Sequence, residues 1–99
     1  MSKNKCKINY VNKTDAQVEF RIYNGWYSNL ESEAVGAHDT GSSNLDNPNY
    51  RIVMAWWDDN NFISQNVMFN APHEYTITLD IVDGNYTLII ASDGYVVID

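Results

Sequence analysis

The sequence predicts a single all-β domain over residues 1–99, an antiparallel β-sandwich of seven to eight strands, with a small β-barrel as the alternative. Three observations support this fold class. A chain of 99 residues, 44% of them hydrophobic and 13% aromatic, can build one core and has no room for a second. Apolar and polar residues alternate with a period of two in most segments. Asp-Gly pairs, which favour tight hairpin turns, separate two of these segments from the next.

The clearest strand covers residues 74–81, where apolar side chains alternate with threonine and aspartate. It is followed by Asp83-Gly84, a pair typical of a type I′ turn, which needs positive φ at both central positions. Folding the chain at this turn places three apolar pairs on one face: Ile81 with Tyr86, Leu79 with Leu88, and Ile77 with Ile90. We therefore expect a hairpin, with strand 85–91 covered on both faces.

A second hairpin is predicted from residues 51–57 and 62–69, joined by the four-residue turn 58–61. In this register Trp57 lies opposite Phe62, and Ala55 opposite Ser64, on one face. The other face pairs Trp56 with Ile63 and Ile52 with Val67. Because large aromatic side chains are usually buried, we expect Trp56 in the core.

The remaining strands are shorter or weaker. Residues 6–10 and 18–22 alternate in the same way and are joined by a turn at 12–15, while Asp93-Gly94 sends 95–99 back as a further strand. An eighth strand is indicated around Ala34–Val35. Residues 36–49, rich in Gly, Ser, Asn and Asp, are expected to form a loop.

Charge is unevenly distributed along the chain. All six basic residues lie in the first 51 positions, and the second half holds seven acids and no base, which accounts for the net charge of −7. Nucleic-acid binding is not expected, because it requires a basic surface. The apolar segments are too short for a transmembrane helix, and the N-terminus does not resemble a signal peptide. With a single cysteine, Cys6, these features favour a cytoplasmic protein.

The aromatic residues give the leading functional hypothesis, a non-enzymatic binding module with a carbohydrate as the favoured ligand. Aromatic rings stack on the apolar face of a sugar, and neighbouring polar groups hold its hydroxyls. The residues expected to bind the ligand lie in or beside turns: Trp57, Phe62, Trp26, Tyr27, Asp58 and Asn60.

Two alternatives remain open. The base-free second half could present an acidic face to a basic protein partner, or to a second copy in a homo-oligomer. The string Asp39-Thr40-Gly41-Ser42-Ser43-Asn44-Leu45 is similar to the active-site motif of pepsin-like and retroviral aspartic proteases. That resemblance implies a homodimeric enzyme in which Asp39 is catalytic. Ala37 and His38 stand where the family has an apolar pair, so a polar connecting loop is preferred.

Other chemistry has weaker support in the sequence. The adjacent pairs His38-Asp39 and His73-Glu74 would form a mixed nitrogen and oxygen metal site only if the fold brought them together. The acidic turn 58–61 matches no calcium-loop spacing. We therefore assign no metal, no cofactor and no catalytic residue.

Overall fold

The computed structural model describes residues 5–24 and 29–93, together with the main chain of 95–96. Eight strands of six to nine residues and one of two residues lie in these ranges. Their bounds are β1 Lys5–Asn12, β2 Val18–Tyr23, β3 Asn29–Val35, β4 Thr40–Asp46, β5 Tyr50–Trp56, β6 Phe62–Met68, β7 Glu74–Val82, β8 Asn85–Ser92 and β9 Tyr95–Val96.

The strands form two sheets that pack face to face, which confirms the sandwich and not the closed barrel. One sheet has the order β4-β1-β7-β8-β9, and the other has the order β3-β2-β5-β6. Neighbouring strands are antiparallel except for β1 and β7, which run parallel near the middle of the first sheet. The described residues include no helix long and apolar enough to span a membrane.

The hairpin of β7 and β8 has the predicted register. Ile81 pairs with Tyr86, Leu79 with Leu88, and Ile77 with Ile90. Asp83 and Gly84 have φ values of 52° and 81°, as a type I′ turn requires. The prediction that β8 is covered on both faces is wrong.

Only the inner face of β8 is packed against the second sheet. Leu88 and Ile90 are buried there, whereas Ile89 on the outer face is 36% exposed. Consecutive apolar residues therefore do not mark a doubly covered strand here, because β-branched side chains are also common on exposed pleated surfaces.

The predicted loop over residues 36–49 is also corrected, because it contains the strand β4, which pairs with β1 from Lys5 to Val11. The inward positions of β4 are Gly41, Ser43 and Leu45, so only one of the three is apolar and the alternation is hidden. A side chain larger than hydrogen at Gly41 would be crowded, because a Cβ there would lie 3.2 Å from side-chain atoms of both Glu33 and Val35 on β3.

The core fills the space between the sheets. Every strand from β1 to β8 contributes at least one buried apolar side chain on its inner face. The largest side chains that are fully buried in the core are Tyr10, Phe20, Phe69, Ile8, Ile22, Leu45, Ile77, Leu79 and Ile90. Tyr10 and Phe20 join the sheets directly, with ring centroids 5.2 Å apart.

A buried polar network holds the crossing from β1 in one sheet to β2 in the other. The Asn12 side-chain amide donates to three main-chain carbonyls, those of Ala16 (2.8 Å), Val35 (3.1 Å) and Gly36 (3.0 Å). Its Oδ1 accepts from the main-chain N–H and hydroxyl of Thr14. Both side chains are almost fully buried, so the network replaces water for groups that would otherwise be unsatisfied.

Tyr10 gives the fold a dependence on alkaline pH. Burial of its phenol, with a smaller effect of Glu31 and Glu33, raises the pKa of Tyr10 to about 12, while a 2.8 Å hydrogen bond with Ser43 acts in the opposite direction. Because the folded pKa lies above the unfolded value near 10, the stabilisation is complete below about pH 10 and is lost as pH rises towards 12. In urea titrations we expect wild type to lose about 2 to 3 kcal/mol over this range relative to Tyr10→Phe. Parallel stability curves for the two proteins would contradict this assignment.

Candidate functional site

The turn between β5 and β6 is held by the carboxylate of Asp58. This carboxylate accepts hydrogen bonds from the main-chain N–H of Asn60 (2.8 Å) and from the side-chain amide of Asn61 (2.8 and 2.9 Å). The main-chain N–H of Trp57 donates to the carbonyl of Asn61 at 3.2 Å. The connection therefore spans the five residues 57–61.

The extra residue in this turn overturns the predicted register of the second hairpin. Trp56 pairs with Phe62 and Ala55 with Ile63, one position away from the prediction. Because side chains alternate along a strand, a shift of one residue exchanges the two faces. Trp56 therefore lies on the outer face of its sheet and not in the core, and Trp57 does not pair with Phe62.

Both faces of the Trp56 ring are covered by neighbouring strands. Phe62 of β6 stacks on it with ring centroids 4.3 Å apart, and the guanidinium carbon of Arg21 on β2 lies 4.9 Å from its centroid. Since β2 and β6 flank β5 on opposite sides, the indole is held between a cation and an aromatic ring. Neither face of this indole is therefore open to a ligand.

Trp57 turns the other way and contacts the opposite sheet. Its ring stacks on Tyr86 of β8 with centroids 3.8 Å apart and planes within 6° of each other. Both side chains are half-buried and pack against the core, so the pair closes one end of the sandwich. Tyr86 covers one face of Trp57, and Trp57 also lines a groove at this end of the molecule.

The two tryptophans line a shallow groove at this end of the molecule, with a volume of about 360 Å³. We call it the Trp-acid groove and define it by seven residues: Gln17, Glu19, Arg21, Trp56, Trp57, Asp58 and Asp59. Its volume lies at the lower end of the range for small-molecule sites, which is about 300 to 1,000 Å³.

Carboxylates outnumber cations in the groove. Glu19 forms an ion pair with Arg21, which leaves Asp58 and Asp59 uncompensated by a cation. The hydrogen bonds from Asn61 and Asn60 lower the pKa of Asp58, so this carboxylate stays charged at neutral pH. Asp59 makes no hydrogen bond or ion pair to any described residue. The groove thus presents an aromatic surface beside two negative charges.

The structure brings together only part of the predicted set. Trp57 and Asp58 line the groove. Asn60 lies in the same turn but outside the lining, and Phe62 is 41% exposed on the outer face of the sheet, where it contacts Trp56. Trp26 and Tyr27 lie outside the described residues.

The histidines lie apart from the groove. His38 Nε2 is 2.6 Å from the carboxylate of Asp15, and His73 Nδ1 is 2.7 Å from that of Asp93. Within the described ranges, no group of three or more His, Cys, Asp or Glu side chains is placed to hold a metal ion.

Asp39, the residue that the protease resemblance would make catalytic, lies in an exposed turn before β4. Its carboxylate accepts a 2.8 Å hydrogen bond from the main-chain N–H of Thr40. This is the local bond that an aspartate commonly makes in a turn.

Sequence reasoning missed four residues of the groove and misplaced Trp56. The alternation in β2 already put Glu19 and Arg21 on the outer face. The pairing of β2 with β5, which brings them beside Trp56, has no local signal in the sequence. The chain matches no protein-family model and no curated protein sequence.

Proposed function

We propose that the protein is a non-enzymatic binding module and that the Trp-acid groove binds a carbohydrate. One observation carries the proposal. The Trp57 ring is fixed by its stack on Tyr86 and lies beside the charged carboxylates of Asp58 and Asp59.

This combination suits a sugar for two physical reasons. A ring already held in place loses little conformational entropy when a ligand packs on it. Carboxylates accept hydrogen bonds from hydroxyl groups, and bonds to charged acceptors are stronger than neutral ones. The amide of Gln17 adds a donor at the same site.

A basic protein partner is the second candidate, and the charge of the groove favours it. The lining of the groove contains three carboxylates and one guanidinium, and this guanidinium forms an ion pair with Glu19. A lysine or arginine side chain of a partner would find both a negative charge and an aromatic surface.

A glycan array followed by titration calorimetry tests the first candidate, with Asp59→Asn as the diagnostic variant. This substitution removes a charge from the groove without breaking a hydrogen bond of the fold. We expect Asp59→Asn to weaken binding of the best glycan by about tenfold or more, because bonds to charged groups contribute about 1.5 to 3 kcal/mol.

Asp83→Asn is the matched control, since it makes the same change in the exposed turn between β7 and β8. Equal effects of the two variants, or an array without any bound glycan, would contradict the carbohydrate proposal. Binding of a lysine-rich peptide that weakens steeply as salt is added would support the second candidate instead.

The cysteine content of the chain bears on its cellular compartment. Cys6 is fully buried and its burial raises the pKa of the thiol, so it is an unreactive packing residue. A chain with no internal disulfide suits a reducing environment, and we place the protein in the cytoplasm on this ground.

A further inference from the structure

A second feature of the fold is the free edge of β6. In the described part of the chain β6 has one sheet neighbour, β5, and its other edge faces outward. Its main-chain bonding pattern follows from the bonds at the two ends of the hairpin. Trp57 N–H bonds to the carbonyl of Asn61, and Phe69 N–H bonds to that of Asn49.

Hydrogen-bonded positions alternate along an antiparallel pair. Odd-numbered residues of β6 therefore bond to β5, and even-numbered residues direct their main-chain N–H and C=O groups to the free edge. These even-numbered residues are Phe62, Ser64, Asn66 and Met68.

This edge lacks the protection that the other long edges have. Among the described seven-residue edge strands, β3 carries Glu31 and Glu33, and β4 carries Asp46, whereas β6 carries no charge. Charged residues on an edge strand prevent pairing with another chain. In a protein with a net charge of −7, β6 is the long edge where two copies could approach with the least repulsion.

We propose that two copies of this chain pair through β6, antiparallel and about a two-fold axis at Gln65. Gln65 is the midpoint of the strand, so the axis pairs each end with the opposite end of the second copy. Phe62 then lies opposite Met68, and Ser64 lies opposite Asn66.

This register satisfies every outward-facing main-chain group of β6, and each pair exchanges two hydrogen bonds. It also brings together the exposed apolar side chains of the strand, since Phe62 is 41% and Met68 is 45% exposed in the single chain. A methionine sulfur against an aromatic ring is a favourable contact. The result is one continuous eight-stranded sheet with an isologous interface.

Sedimentation equilibrium at several concentrations tests the dimer. We expect a mass that rises with concentration towards twice that of the 11.3 kDa chain. A monomer at every concentration up to the solubility limit would overturn the proposal. The measurement is independent of ligand binding, so it separates the dimer from the proposed function.

Two double variants test the register. The two-fold axis creates two equivalent pairs, in each of which Ser64 of one copy lies opposite Asn66 of the other. Ser64→Glu with Asn66→Glu places like charges opposite each other and is expected to abolish the dimer. Ser64→Lys with Asn66→Glu places opposite charges there and is expected to strengthen it, by up to about 30-fold for two cross-strand pairs. Thermal melts of the two variants check that each one is folded. Equal dissociation constants for two folded variants would overturn the β6 interface.

Discussion

Replacing Asn12 with aspartate is expected to destabilise the protein by about 3 to 5 kcal/mol at neutral pH, as a loss in the free energy of unfolding measured in urea. The substitution keeps the shape of the side chain and removes its donors. The carbonyls of Ala16, Val35 and Gly36 then lose their shared partner and face a buried carboxylate. The crossing between the two sheets loses its central hydrogen bonds.

The same variant should show a characteristic pH dependence. Burial and the three carbonyls favour the neutral acid, so the folded pKa of the new carboxyl lies above its unfolded value near 4. The loss is therefore smallest at low pH, where the group is protonated in both states, and grows as pH rises.

Asn44→Asp is the matched control for Asn12→Asp. Asn44 is exposed on β4, so we expect a change within about 0.5 kcal/mol. A loss of stability at Asn12→Asp no larger than the loss at Asn44→Asp would contradict the role assigned to the network.

Replacing Trp57 with alanine should cost about 2 to 4 kcal/mol, because the ring closes one end of the core against Tyr86. Double-mutant cycles in the same urea experiment test its partner directly. We expect Trp57 and Tyr86 to be coupled by about 0.5 to 1.5 kcal/mol, and Trp57 and Phe62 to be additive.

A second double-mutant cycle tests the shifted register on the outer face of the sheet, where Trp56 and Phe62 lie. Trp56 and Phe62 should be coupled, since their rings stack at 4.3 Å. If Trp57 were coupled to Phe62 and not to Tyr86, this result would indicate the four-residue turn predicted from the sequence and would contradict the geometry of the groove.

Local signals predicted the fold well where a turn determines the register. Asp83-Gly84 favours a two-residue type I′ turn because both residues tolerate positive φ, so the pairing of β7 with β8 followed from the turn alone. The β5–β6 turn is less constrained, because Asp58, Asn60 and Asn61 can close a loop of four or five residues. The side-chain hydrogen bonds of Asp58 decide between the two, and these depend on the folded geometry.

Long-range pairings account for the rest of what was missed. The strand β4 has one inward apolar residue, Leu45, and is recognisable only from its pairing with β1. The parallel pairing of β1 with β7 joins segments that are far apart in the sequence. In the candidate site, Trp57 and Asp58 were predicted from the acidic turn. Glu19 and Arg21 were not, because they come from a different strand.

The most direct test of the Trp-acid groove is a nuclear magnetic resonance titration of the isotope-labelled protein with methyl glycosides of the common hexoses. The signals to follow are the indole N–H groups of Trp56 and Trp57 and the main-chain N–H groups of Asp58 and Asp59. We expect these signals to move in a saturable way with at least one glycoside, while the Asp83-Gly84 turn stays unchanged. Saturable shifts confined to residues outside the groove, or no shift with any glycoside, would contradict the proposal that this groove binds a carbohydrate.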